Sequence, residues 1–136
     1  MSETEPLAQA LWHKGWYRYA HRCPSPNFGP RPHGMPVELV VVHAISLPPG
    51  EYGSTDVLDL FTNQLQIDAH PYFKTLEGVQ VSAHFFIRRQ GELWQLVGCD
   101  DRAWHAGVST FRGQENCNDF SIGIELEGLD GHGFEA

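Results

Sequence analysis

The sequence lacks the cysteine and histidine patterns that mark the commonest metal-binding and disulfide-rich proteins. Its three cysteines, Cys23, Cys99 and Cys117, are odd in number, and no two of them form a C-x-x-C pair. A disulfide framework or a cysteine-based zinc site is therefore not expected. The eight histidines form no H-x-H or H-x-x-x-H pair. Because a catalytic zinc takes three protein ligands, spacing alone predicts no metal site.

Basic residues are also scarce. The chain has 9 Lys and Arg against 17 Asp and Glu, which gives a formal net charge of −8. A protein that binds nucleic acid without sequence preference needs a basic surface that neutralises phosphates. We therefore expect no nucleic-acid partner. A local group of arginines could still meet an acidic small ligand, although solvated surface arginines are the simpler interpretation.

Long apolar segments are missing as well. No run approaches the ~18 apolar residues that a membrane span needs. The first six residues are polar and acidic, without the basic and apolar regions of a secretory signal. We therefore expect a cytoplasmic protein that does not enter a membrane. At 136 residues, the chain has the length of one domain; its oligomeric state is not defined by the sequence.

The clearest pattern that is present is the alternation of apolar and polar residues over 120–128. The apolar residues occupy every second position and predict one face of a strand. The residues between them, which include Gly123 and Glu125, predict the other face. A carboxylate in the middle of a strand, beside a glycine that leaves room for an approaching group, is typical of a functional acid.

Three further segments predict regular structure. Residues 37–43 are a β-branched run with one charge, which predicts a strand buried on both faces near the centre of a sheet. Ser54 or Thr55 can cap a helix that follows. Residues 79–97 alternate and predict a hairpin with its turn at residues 89–92. Together the elements predict an α/β domain with a mixed central β-sheet and helices packed on its faces.

Two side chains on predicted strands are candidates for chemistry. His43 ends its strand directly before a loop, where a rigid backbone would orient an imidazole as a metal ligand; a hydrogen-bonded core histidine is the commoner alternative. Glu125 would cost several kcal/mol to bury without a partner. Desolvation would raise its pKa toward neutrality, as a general acid or base requires. The alternative is that this face of the sheet is exposed to solvent, with Glu127 beside Glu125 on it.

A loop and a hairpin strand supply two weaker candidates. Trp104 lies among small residues in a polar loop, where an aromatic ring can form the wall of a sugar or peptide pocket. It can equally cover the core. His84 alternates with the apolar residues of its strand and faces either the cleft of Glu125 or solvent.

Five motifs, in order along nearly the whole chain, carry a resemblance to a known family. They are C-P-S-P-N from residue 23, V-V-H-A-I-S-L-P-P-G-E from 41, V-S-A-H from 81, R-A-W-H-A-G-V-S from 102 and C-N-D-F-S-I-G-I-E-L-E-G from 117. On these motifs the chain resembles the zinc-dependent N-acetylmuramoyl-L-alanine amidases, specifically the cytoplasmic amidase that acts on anhydro-muropeptides in peptidoglycan recycling. The resemblance implies a fold shared with phage lysozyme-type amidases and peptidoglycan recognition proteins.

The resemblance also implies roles for individual residues. His43 matches a zinc ligand, Glu125 matches the catalytic acid and base, and Trp104 matches a residue of the substrate-binding loop. The implied cofactor is Zn²⁺, and the implied partner is a muropeptide. The implied reaction is hydrolysis of the amide bond between (anhydro-)N-acetylmuramic acid and L-alanine by zinc-activated water.

The chain departs from the family pattern at several points. The family carries a second zinc histidine, an aspartate ligand and a lysine in its C-terminal portion, and this sequence has no match to them. Ala44 stands where an asparagine is common, and Gln80 where an arginine is expected. We therefore expect residues 1–136 to form a single amidase-like domain that is incomplete at the C-terminus. The alternatives to an enzyme are a muropeptide-binding module that does not cleave, and an inactive truncated fragment.

Overall fold

The centre of the molecule is a five-stranded mixed sheet. The structure is a computed structural model that describes residues 11–33 and 35–134. In order across the sheet, the strands are His21–Arg22 (β3), Leu93–Gln95 (β7), Phe85–Ile87 (β6), Ser121–Glu127 (β11) and Leu39–Ile45 (β5). Strand β11 runs parallel to both β5 and β6, whereas β6 and β7 are antiparallel. The predicted mixed sheet is confirmed.

The other elements of the described residues are short. Three two-stranded pairs join Trp12–His13 (β1) to Trp16–Tyr17 (β2), Phe28–Pro30 (β4) to Asp101–Ala103 (β8), and Thr110–Phe111 (β9) to Gln114–Glu115 (β10). The α-helix is Asp56–Phe61 (α1), and 3₁₀ turns cover Ile67–Ala69, Pro71–Leu76 and Cys117–Phe120. Within residues 11–33 and 35–134 the sheet is accompanied by few helices, and none of them is both long and apolar enough to cross a membrane.

The hydrophobic core lies between α1 and the sheet. Val57 and Phe61 of the helix, each 2% exposed, belong to one buried cluster with Phe86 of β6 and Phe73. The helix begins where it was predicted: the Ser54 hydroxyl accepts a hydrogen bond from the Asp56 backbone N–H at 3.2 Å, which satisfies a donor that the helix itself cannot. The predicted hairpin is also confirmed, with shorter strands, as β6 and β7.

The prediction for the β-branched run was wrong in two respects, the place of the strand in the sheet and its burial. Strand β5 is a strand, but it forms an edge of the five-stranded sheet rather than its centre. Val40 and Val42 are 56% and 58% exposed, so only one face of the strand is covered by the described residues. The reason is that β-branched composition reports compatibility with a pleated strand and does not report how many layers cover it.

Strand β11 alternates as predicted, but its polar row is the buried one. Ser121, Gly123, Glu125 and Glu127 are buried, and the apolar residues between them are half-buried. The register pairs Ile122 with Val40 and Ile124 with Val42, so the apolar row lies on the more open face of the sheet. The polar row faces inward, which makes it the row that builds a site.

Candidate active site

Strand register brings the two main candidates together. Glu125 of β11 is the Cα partner of His43 in the parallel strand β5. Neighbouring strands are about 4.8 Å apart, and paired residues point to the same face of a sheet. His43 and Glu125 therefore project side by side, although they are far apart in the sequence. The site is built on two rigid strands rather than on loops.

Glu125 has the environment of a poised acid. Its side chain is 8% exposed, and its Oε2 has no hydrogen-bond partner among the described residues. Burial raises the pKa of the Glu125 carboxyl to about 7, because desolvation disfavours the charged form. The alternative, a face of the sheet that is exposed to solvent, is wrong, because Glu125 and Glu127 are both buried. A carboxyl with this pKa can both accept and release a proton near neutral pH.

His43 is half-buried and touches a second histidine. Its Nε2 lies 3.1 Å from Nδ1 of His105. Burial lowers the pKa of His43, so the ring is neutral near pH 7. Burial also lowers the pKa of His105, to about 3, and the nearby His43, His84 and Arg31 act in the same direction. Two neutral imidazoles therefore share one contact.

His105 is seated on β11 by a glycine and a serine. A Cβ on Gly123 would lie 2.5 Å from Cγ of the His105 ring, closer than any real side chain allows. The Ser121 hydroxyl lies 2.9 Å from His105 Nε2. The sequence pattern had suggested that Gly123 leaves room for an approaching group, and that group is His105. The R-A-W-H-A-G motif contains His105. The motif alone does not indicate that this ring reaches β11 and His43.

His84 is a core histidine rather than a residue of an open cleft. Its side chain is fully buried, and its Nδ1 accepts a hydrogen bond from the Gly123 N–H at 3.0 Å. Its Nε2 lies 2.8 Å from the Asp101 carbonyl oxygen, which accepts from it. Burial lowers the pKa of His84 to about 4. The ring thus ties the start of β6 to β11 and β8.

Trp104 precedes His105 in the loop and is held by contacts of its own. Its backbone N–H donates to the Ser82 hydroxyl at 3.1 Å. A Cβ on Gly29 would meet the Trp104 ring at 3.3 Å, and the Arg102 guanidinium lies 4.9 Å from the ring centroid. The structure brings its neighbour His105 against His43. The half-buried ring itself packs against Gly29 and Arg102.

The donors near His43 do not make a complete metal site. Within residues 11–33 and 35–134, no group of three or more His, Cys, Asp or Glu side chains is arranged to hold a metal ion. His43 and His105 supply two nitrogens that face each other. A catalytic zinc takes three protein ligands and keeps one position open. The described residues therefore do not fit a whole zinc site.

Comparisons with known proteins show which family the sequence resembles. Residues 33–136 match the sequence model of the family described as N-acetylmuramoyl-L-alanine amidase. The chain is 56% identical over 117 residues to the 1,6-anhydro-N-acetylmuramyl-L-alanine amidase AmpD of Salmonella typhimurium, covering 86% of this chain and 63% of that protein. It is 53% identical over 120 residues to AmpD of Escherichia coli, covering 88% of this chain and 66% of that protein.

A solved structure shows the same fold. The crystal structure of a selenomethionine derivative of AmpD superimposes with a TM-score of 0.89 and 52% sequence identity, covering 91% of this chain and 69% of that one. The chain spans less than two thirds of the length of the Salmonella and Escherichia relatives. The family match over residues 33–136 includes β5 and β11, the two strands that carry the candidate site.

Proposed function

Because this chain belongs to the N-acetylmuramoyl-L-alanine amidase family, we propose that it hydrolyses the amide bond between (anhydro-)N-acetylmuramic acid and L-alanine in muropeptides. Relatives that are 53–56% identical carry the name 1,6-anhydro-N-acetylmuramyl-L-alanine amidase. The observation that carries the proposal is the buried Glu125 carboxyl beside His43, whose Oε2 has no hydrogen-bond partner among the described residues. We place the reaction in the cytoplasm, as part of peptidoglycan recycling, with a muropeptide as the partner.

Glu125 is the proton carrier in the proposed reaction. As a carboxylate, Glu125 takes a proton from a water molecule at Oε2, the oxygen that lacks a partner among the described residues. The oxygen of that water attacks the lactyl carbonyl carbon, and the C–N bond to L-alanine breaks. Glu125 then gives the proton to the leaving nitrogen, which yields a carboxylic acid and a free peptide amine. A pKa of about 7 suits both transfers.

Zinc is the proposed cofactor, with His43 as one of its ligands. The family resemblance supports this assignment, and a neutral imidazole is the form that binds a metal. Since the described residues do not complete the site, the proton transfers above are derived from Glu125 alone. Trp104 is the proposed substrate contact, because its half-buried ring, held on Gly29, offers an apolar surface to a sugar or peptide.

Hydrolysis of anhydromuramyl-tripeptide by the purified chain tests the proposal. Peptide release is followed by mass spectrometry with zinc present and, in parallel, with a chelator. We expect Glu125→Gln to lower release at least ~100-fold, the size of a general acid–base contribution. Glu38→Gln makes the same charge change at an exposed glutamate and should keep normal release. Normal turnover by Glu125→Gln would refute the mechanism.

A muropeptide-binding module is the second candidate function. The incomplete donor set around His43 favours it, because a chain without a whole metal site can still recognise its ligand. Calorimetric titration with the same tripeptide separates the possibilities. Heat of binding without peptide release would support the binding module, and neither heat nor release would leave an inactive chain.

A further inference from the structure

Ser82 and the loop that carries Trp104 share hydrogen bonds that the proposed reaction does not use. Ser82 belongs to the V-S-A-H motif and is 1% exposed. Its hydroxyl oxygen accepts a hydrogen bond from the Trp104 N–H at 3.1 Å, and its own N–H donates to the Trp104 carbonyl oxygen at 3.0 Å. One buried residue therefore holds both polar groups of the Trp104 backbone.

The Ser82 hydroxyl also joins this loop to the C-P-S-P-N motif. It donates its hydrogen to the carbonyl oxygen of Asn27. A carbonyl oxygen can only accept and a backbone N–H can only donate, so the hydrogen bonds run in one direction, from Trp104 through Ser82 to Asn27. Without this hydroxyl, the Trp104 N–H would lose its acceptor, which would favour conformations of the loop that offer the donor to water.

Asn27 is itself fixed to the core. Its side chain is buried, and its Nδ2 donates to the Val81 carbonyl oxygen at 2.8 Å. Its side-chain amide also exchanges two hydrogen bonds of 2.9 Å with the amide of Asn63, which lies two residues after the end of α1. The hydrogen bonds that hold Trp104 are therefore continuous with the helix that packs on the sheet.

A second side chain holds the two residues that follow Trp104. The N–H groups of His105 and Ala106 donate to the Asn118 side-chain oxygen at 3.1 and 2.9 Å. Asn118 lies in the 3₁₀ turn before β11. Three successive backbone N–H groups, those of residues 104–106, thus end on side-chain oxygens. Because these bonds would have to break for the loop to move, the loop has few alternative conformations.

We propose that Ser82 and Asn118 are positioning residues, which fix residues 104–106 so that the Trp104 ring is in place before a muropeptide binds. With its backbone fixed, the ring is further confined by Gly29, whose Cβ position would lie 3.3 Å from it. A side chain that is ordered in advance loses little conformational freedom on binding, which removes part of the cost of association. The inference rests on the proposed function only for giving Trp104 a part in binding.

Fluorine NMR of the chain labelled with 5-fluorotryptophan tests the proposal without substrate or metal. Trp104→Phe identifies the Trp104 signal among those of the four tryptophans. We expect this signal to be sharp in wild type and to shift or broaden in Ser82→Ala, while the other tryptophan signals stay in place. Ser46→Ala is the matched control and should leave the Trp104 signal unchanged. Ser46 is also buried, and its hydroxyl accepts a backbone N–H, that of Gly50, at 2.8 Å.

Asn118 variants keep the test decisive if Ser82→Ala does not fold. Asn118→Leu removes the acceptor oxygen at nearly constant volume and should alter the Trp104 signal. Asn118→Asp keeps an acceptor oxygen in the same place and should restore the signal. An unchanged Trp104 signal in folded Ser82→Ala or folded Asn118→Leu would overturn the proposal. An equal change in Ser46→Ala, or an Asn118→Asp signal like that of Asn118→Leu, would overturn it as well.

Calorimetric titration with anhydromuramyl-tripeptide adds a binding measurement. We expect Ser82→Ala to weaken binding about 2- to 10-fold, the cost of ordering one side chain. In a Trp104→Ala background the same change should have no effect, because Ser82 acts through that ring. Equal effects in both backgrounds would contradict the proposal. If the tripeptide does not bind to the wild-type chain, the proposed function fails, and the NMR measurement still decides whether Ser82 and Asn118 hold the loop.

Discussion

The carboxyl group of Glu125 links the candidate reaction to the stability of the fold. Its pKa is about 7 in the folded chain, raised by burial from an ordinary value of 4.5. A raised pKa means that the folded state holds this proton more tightly than the unfolded state. The resulting stability is fully present below pH 4.5 and is lost as the pH rises toward and through 7.

Replacing Glu125 with glutamine should therefore make the protein more stable at high pH. The pKa difference corresponds to a free energy on the order of 3 kcal/mol. We expect the free energies of unfolding of Glu125→Gln and wild type to be similar near pH 4.5 and to differ by roughly this amount above pH 7.5. Urea unfolding at both pH values measures it. A constant difference across the range would show that the carboxyl is not desolvated.

Gly123 shows how one missing side chain can admit a neighbouring ring. An added Cβ would meet the His105 ring at 2.5 Å. We expect Gly123→Ala to lower the free energy of unfolding by about 1–3 kcal/mol, the usual cost of overpacking a core, and to disturb the His43 signals in NMR spectra. Gly133→Ala is the control, since nothing lies within 4 Å of its added Cβ. Equal stability of the two variants would mean that His105 moves aside freely.

At the scale of elements, Glu127 joins three parts of the chain next to the site. Its carboxylate accepts hydrogen bonds from the backbone N–H of Gly53 and of Arg89, each at 3.0 Å, and from the Arg88 guanidinium at 3.2 Å. The first belongs to the loop between β5 and α1, and the others lie at the end of β6. This buried group therefore holds the loop after His43 against β11.

Removing that carboxylate should loosen the loop and the hairpin together. We expect Glu127→Ala to lower the free energy of unfolding by about 3–5 kcal/mol, because it leaves a largely buried arginine without its ion-pair partner. Glu115→Ala, at an exposed glutamate of β10, should change stability by no more than about 0.5 kcal/mol. Urea unfolding of both variants provides the comparison. A small effect at position 127 would mean that solvent replaces the lost contacts.

Local sequence patterns predicted the positions of the strands better than they predicted which side chains are buried. The alternation over 120–128 gave β11 with nearly its observed bounds, and the β-branched run gave β5. The burial of each row was predicted less well, because it depends on which layers pack against the sheet. That arrangement comes from long-range contacts, such as α1 against β6, which a local period does not contain.

The same limit applies to the site. Strand position and neighbouring residues singled out His43 and Glu125 individually, but their pairing in register depends on how β11 lies between β5 and β6. The contact of His105 with His43 depends on a loop that crosses the sheet above Gly123. No local pattern encodes it. The roles of His43, Glu125 and Trp104 in the reaction remain predictions for the experiments above.

At the scale of the whole molecule, the open face of the sheet is a continuous apolar surface. Val40 and Val42, each more than half exposed, lie beside Ile122 and Ile124. Apolar patches of this kind promote association between copies, especially at a sheet edge. We expect the chain to self-associate as its concentration rises, measured by sedimentation velocity.

A double variant, Val40→Lys with Val42→Lys, should keep the chain monomeric. Because both side chains are mainly exposed, the free energy of unfolding should change by no more than about 1 kcal/mol, twice the usual effect of one surface substitution. A wild-type chain that stays monomeric at high concentration would show that this face does not attract a second copy.

The parallel register of β11 also limits how the length of this chain can vary during evolution. Deleting one residue between 121 and 125 would turn Glu125 to the opposite face of the sheet, away from His43. A gain or loss at the exposed turn of residues 112–113, between β9 and β10, would leave that register intact. Descendants that keep the acid opposite the histidine should therefore carry their insertions and deletions in the loops and preserve the spacing within the two strands.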